Sequence, residues 1–184
     1  ICALDLHDRA LLADDTVVVT VMTNLGFRLG MAEHGVAVHE TPVGDRHVLE
    51  ALDRHGWSLG GEQSGHVIFH DLATTGDGIL TAVQLLDVLA RRRRTLSDLA
   101  TAAMTRLPQR LRNVRVDRPG AEIMATIEAD IADVTARLGT TGRLLVRPSG
   151  TEPLIRVMAE APTQAEADHA VDTLIETLRA FEAT

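Results

Sequence analysis

The sequence predicts an α/β domain followed by a smaller α+β domain, and three observations carry that expectation. The β-branched run Thr16-Val17-Val18-Val19-Thr20-Val21 reads as a buried strand. Apolar stripes at helical spacing alternate with further short strand-like runs, and Gly35 and Gly56 stand where helices should stop. Beyond Pro108 the order changes to strand, helix, strand, strand, helix, a set able to close a core of its own.

Taken in order, the strand at residues 16–21 should lead to a helix capped by Asn24, with Leu25, Leu29 and Ala32 on its buried face and Gly35 behind it. Residues 36–40 form a second short strand. Asp45 opens the next helix, with Val48, Leu49 and Leu52 as its stripe and Gly56 as its stop. A glycine-rich turn then separates Trp57-Ser58-Leu59 from the strand at residues 66–69. Thr74-Thr75-Gly76-Asp77-Gly78 feeds a helix over residues 79–90, with Asp77 at its positive end and Arg91 to Arg94 at its negative end. Cations there complement the helix dipole and are expected to be solvated. A connector helix over residues 96–106 precedes the boundary, so the domains are expected at 1–107 and 108–184. In the second domain, strands fall at residues 111–116, 144–146 and 154–159. One helix carries Ile123, Ile127, Ile131, Val134 and Leu138, and a last one opens on the capping box of Thr163 and Glu166.

Composition narrows the function. A net charge of -8 is unsuited to displacing counterions from a nucleic-acid backbone, so no nucleic acid is expected as partner. All 18 basic residues are Arg, which removes Schiff-base lysines and the Walker-type phosphate lysine. Cys2, the single cysteine, allows neither an internal disulfide nor a cysteine metal cluster, and a cytoplasmic setting is expected. No apolar run approaches the ~20 residues of a membrane span. The chain opens inside the apolar stretch Ile1-Cys2-Ala3-Leu4, as an element cut from a longer sequence would.

Two loops hold the chemistry. Gly60-Gly61-Glu62-Gln63-Ser64-Gly65-His66 sets a carboxylate, a hydroxyl and an imidazole between two strands. A carboxylate can accept two neighbouring hydroxyl protons of a hexose, and the same residues also suit a polar hairpin in which Glu62 caps backbone amides. A nucleophile elbow is excluded by spacing, since Glu62 and His66 stand where it needs glycines. Arg147-Pro148-Ser149-Gly150-Thr151-Glu152-Pro153 combines a guanidinium, two hydroxyls and a turn, which suits a phosphate clamp. Its alternative is a proline-bounded turn with Arg147 paired to Glu152.

Together these loops, with Val43-Gly44-Asp45-Arg46 and Thr74-Thr75-Gly76-Asp77-Gly78, resemble the α-D-phosphohexomutase superfamily, most of all its phosphoglucosamine mutase branch. The resemblance covers essentially the whole chain. It implies an α/β sugar-binding third domain, followed by a small α+β phosphate-binding fourth domain of the TATA-box-binding-protein type. It implies interconversion of glucosamine 6-phosphate and glucosamine 1-phosphate through a bisphosphorylated sugar, in the supply of UDP-N-acetylglucosamine and cell-wall precursors.

By the same resemblance Glu62, Ser64 and Gly65 bind the sugar, and Arg147, Ser149, Gly150 and Thr151 hold the phosphate that is not reacting. His66 is the candidate for proton transfer, an alternative being a structural histidine. Arg46 either reaches a phosphate or pairs with an acidic neighbour, and Arg156 is a candidate support for the clamp. The family's phosphoserine and its Mg2+ ligands are expected outside this chain, in missing N-terminal domains, so no metal site is expected within it and the chain alone should be inactive. The alternatives are a phosphomannomutase or phosphoglucomutase, and a non-catalytic phosphosugar-binding module.

Overall fold

A computed structural model describes residues 1–150 and 152–182. Two compact units make up the chain, Ile1–Arg106 and Leu107–Thr184.

The first unit runs α1 (Cys2–Asp8), a 3-10 turn (Ala13–Asp15), β1 (Thr16–Thr20), α2 (Leu25–Glu33), β2 (Ala37–Thr41), α3 (Asp45–His55), β3 (Leu59–Gly61), β4 (Val67–Phe69), α4 (Gly78–Arg92) and α5 (Leu96–Ala103). Its sheet has the order β2-β1-β3-β4; β1 is parallel to β2 and β3, and β4 is antiparallel to β3. All of β1 is buried because it is covered on both faces, which accounts for its unbroken β-branched run. Val17 and Val19 pack with Ala3, Met31 and Phe69 on one side, and Val18 packs with Val48, Leu52 and Ile68 on the other.

Three expectations for this unit are corrected. Asn24 caps α2 by accepting from the Gly26 amide, but Leu29 and Ala32 are exposed and the buried face is Leu25, Gly26, Gly30 and Met31. A Cβ at Gly26 would strike the carbonyl oxygen of Thr105, and one at Gly30 that of Ala103. This glycine pair lets the end of α5 lie directly on α2, and α5 stops at Ala103 rather than Arg106.

Arg91 and Arg92 are not simply solvated cations at a helix end. Arg91 makes two bonds to Asp5, at 2.9 and 2.7 Å, while Arg92 reaches Asp5 at 3.1 Å and Asp8 at 2.6 Å. They pin α4 to α1. Burial pushes the Asp5 carboxyl up, but hydrogen bonds from Arg91, Arg92 and Arg9 outweigh it and hold the pKa at about 2.

The second unit runs β5 (Gln109–Arg115), α6 (Gly120–Thr126), α7 (Glu128–Leu138), β6 (Arg143–Pro148), β7 (Leu154–Glu160) and α8 (Gln164–Glu182). Its antiparallel sheet has the order β5-β7-β6. Ile155, Val157 and Ala159 of β7 pack against Ile123, Ile127, Val134, Val171 and Leu174, so the three helices cover one face. By alternation Leu154, Arg156, Met158 and Glu160 belong to the other.

The helix expected from Ile123 to Leu138 is two, broken at Ile127 where ψ is 10°. At the end of the first of them Thr126 Oγ1 donates back to the Glu122 carbonyl at 3.0 Å. The capping box forms as expected: the Thr163 amide donates to Glu166 at 3.0 Å and the Glu166 amide to Thr163 Oγ1 at 3.3 Å. Among the described residues no helix is long and apolar enough to cross a membrane.

Candidate functional site

Because β1, β2 and β3 are parallel, the segments 21–24, 42–44 and 62–66 all leave the same edge of the sheet, at the carboxyl ends of its strands. In open α/β sheets that edge is where ligands bind. The loop from Glu62 to His66 is a tight turn: the Glu62 amide donates to the His66 carbonyl at 2.9 Å and the Gly65 amide to the Glu62 carbonyl at 3.0 Å. Gly65 has a φ of +92°, which its lack of a Cβ permits.

Three side-chain contacts fasten this turn to its neighbours. Thr20 Oγ1, at the end of β1, donates to Gln63 Oε1 at 3.3 Å. The Gly44 amide donates to Glu62 Oε1 at 3.1 Å, so one carboxylate oxygen caps an amide. The other has no hydrogen-bond partner among the described residues. His66 Nε2 lies 3.4 Å from Asp45 Oδ2. The segment after β4 returns to the same place, for a Cβ on Gly76 would collide with the His66 ring.

Gln63, Ser64 and Gly65 are exposed at the tip of the turn, while Glu62 and His66 are half-buried. The expected sugar readers Glu62, Ser64 and Gly65 are therefore brought together with His66 on one short turn. Arg46 is not directed there: its Nε donates to Glu50 at 2.7 Å along α3, the acidic-neighbour alternative. Sequence reasoning missed two roles, those of Asp45 and Gly44, because Asp45 was legible only as a helix opener and a backbone amide leaves no mark in a sequence.

In the second unit the loop over residues 149–153 joins β6 to β7, closed by the Ser149 amide donating to the Leu154 carbonyl at 2.9 Å. Arg147 and Arg156 face each other directly across the two strands. Like charges placed so repel, which a bound anion would relieve. The Arg147–Glu152 pair of the turn alternative does not form: Glu152 approaches Arg156, at 3.7 Å, and Arg147 has no ion-pair partner among the described residues. Arg156 Nε is buried without a hydrogen-bond partner among them. Gly150 is exposed, and Thr151 lies outside the described residues.

No group of three or more His, Cys, Asp or Glu side chains that could hold a metal ion occurs among the described residues, so the donor set for a magnesium ion is not met by them.

Residues 1–107 match the family model described as phosphoglucomutase/phosphomannomutase, alpha/beta/alpha domain III, and residues 111–177 match that of the phosphoglucomutase/phosphomannomutase C-terminal domain. The chain is 56% identical over 98% of its length to the phosphoglucosamine mutase of Frankia alni and 53% identical over 97% to that of Leifsonia xyli. In each case it spans only 40% of the relative's length. Among solved structures it resembles an Aspergillus fumigatus N-acetylphosphoglucosamine mutase in complex with GlcNAc-6P and magnesium. There the TM-score is 0.75 at 21% identity, covering 98% of this chain and 43% of that one. A phosphoglucomutase/phosphomannomutase family protein of Burkholderia thailandensis gives a TM-score of 0.73 at 22% identity, covering 97% of this chain and 41% of that one. From its α/β sheet with the Glu62 turn to the hairpin bearing Arg147, this chain belongs to the phosphoglucomutase/phosphomannomutase family, as its domain III and C-terminal domain.

Proposed function

We propose that the chain supplies the substrate recognition of a phosphoglucosamine mutase, which interconverts glucosamine 6-phosphate and glucosamine 1-phosphate through a bisphosphorylated sugar. The observation that carries the phosphate half is the opposed Arg147 and Arg156 pair, of which Arg156 has Glu152 3.7 Å away and a buried Nε without a hydrogen-bond partner among the described residues. Glu62, with one oxygen anchored by Gly44 and the other open, accepts sugar hydroxyl protons, and exposed Ser64 and Gly65 border them. Arg147 gives bidentate bonds to a phosphate, and Ser149, Gly150 and Thr151 supply the rest of the clamp. The choice of glucosamine over glucose or mannose rests on the names of the close relatives.

Phosphoryl transfer depends mainly on positioning and charge neutralisation. In this reading magnesium and the phosphorylated serine belong to sequence outside the chain, the partners are a phosphosugar and the remaining domains, and the setting is the cytoplasm. The residues present bind and orient; alone they turn nothing over.

Calorimetric titration of the chain with glucosamine 6-phosphate tests the reading. R147A should weaken binding tenfold or more, about the value of a charge-assisted pair, whereas R93A should leave it within about twofold. Equal losses would show a nonspecific basic surface, and mutase turnover by the isolated chain would refute its recognition-only role.

A further inference from the structure

His66 Nε2 is buried and makes no hydrogen bond among the described residues, yet Asp45 Oδ2 stands 3.4 Å away. A buried ring nitrogen calls for a partner, and this carboxylate is the acceptor within reach. Asp45 is already oriented for it, because its other oxygen accepts from the Arg46 amide at 2.8 Å on the first turn of α3. The Gly76 backbone lies over the ring near Nε2, Cε1 and Cδ2 so closely that no Cβ fits. With Nε2 buried, Nδ1 is the nitrogen left to meet a ligand.

We propose that Asp45 is a positioning residue: its carboxylate accepts from Nε2–H of His66, so that Nδ1 keeps its lone pair and accepts a hydrogen bond from a sugar hydroxyl. A neutral imidazole carries one N–H, and the partner of one nitrogen decides the role of the other. The hydroxyl half of this inference rests on the phosphosugar reading. It gives His66 a defined task beside Glu62, and it makes the loop at residues 43–46 part of the site through Asp45 rather than through Arg46.

The test is a long-range 15N–1H spectrum of the chain, recorded where the ring is neutral, with H66Q to assign the signal. D45S keeps a short side-chain oxygen in the first turn of α3 but cannot reach the ring, and D45N keeps the size without the charge. The ratio of Nε2–H to Nδ1–H tautomer should fall about three- to tenfold in D45S and less in D45N, with the circular dichroism unchanged. Addition of glucosamine 1-phosphate should shift Nδ1 in the wild type and bind more weakly to D45S. A wild-type chain that binds no glucosamine phosphate overturns the phosphosugar reading and with it the hydroxyl partner. One that binds it while D45S keeps the wild-type ratio overturns the role of Asp45 alone.

Discussion

Replacing Asp5 with Asn tests the joint between α1 and α4. The Asp5 side chain is 3% exposed, and its carboxyl is held at about 2 against an ordinary 3.8. A depression of nearly two units corresponds to about 2 kcal/mol of folding free energy. Arg91 and Arg92 are each 35% exposed, so water takes over part of their solvation, and the loss stays below the 3–5 kcal/mol of a fully buried broken pair.

Because the folded-state value is lowered, this stabilisation is present above the ordinary carboxyl pKa and disappears as pH falls through about 2. Trp57 is the single tryptophan and lies in the first unit, so its fluorescence follows urea unfolding of that unit. D5N should be about 2 kcal/mol less stable than wild type at neutral pH, and the two should converge as pH falls from about 4 to about 2. A gap below about 0.5 kcal/mol at neutral pH, or one that does not change with pH, would refute the assignment.

Two further outcomes follow from glycines that admit no side chain. G26A drives a Cβ into the Thr105 carbonyl and should cost about 2 kcal/mol or more in the same urea assay, whereas L29A, on the exposed side of α2, should cost less than about 0.5 kcal/mol. G76A meets the His66 ring, the movable end of a side chain, so it should keep the fold but displace the ring. Its glucosamine 6-phosphate affinity should then fall several-fold in the titration calorimeter.

Much of the first unit was legible in the residues. The run Thr16–Thr20 and the cap at Asn24 follow from local chemistry that needs no distant partner. The buried side of α2 was not, because glycine has no hydropathy to contribute to a stripe, and Gly26 and Gly30 are buried for the space they leave rather than for what they bring. The break at Ile127 escaped because the apolar stripe continues through it, so the periodicity carries no sign of the interruption.

The Glu62 turn and the Arg147 hairpin could be read from spacing, since their residue types in those orders suit hydroxyl and phosphate chemistry wherever the loops lie. What each partner of those residues is depended on the fold. Arg46 turns to Glu50, four residues away, whereas Asp45 meets His66 from a different loop. The sequence by itself determined most of the elements and the residue content of the Glu62 and Arg147 loops, because strand, helix and turn preferences act over a few residues. Tertiary structure alone decided that Arg91 and Arg92 clamp Asp5 and that Arg147 faces Arg156. Both depend on chain segments that only packing or strand register brings together.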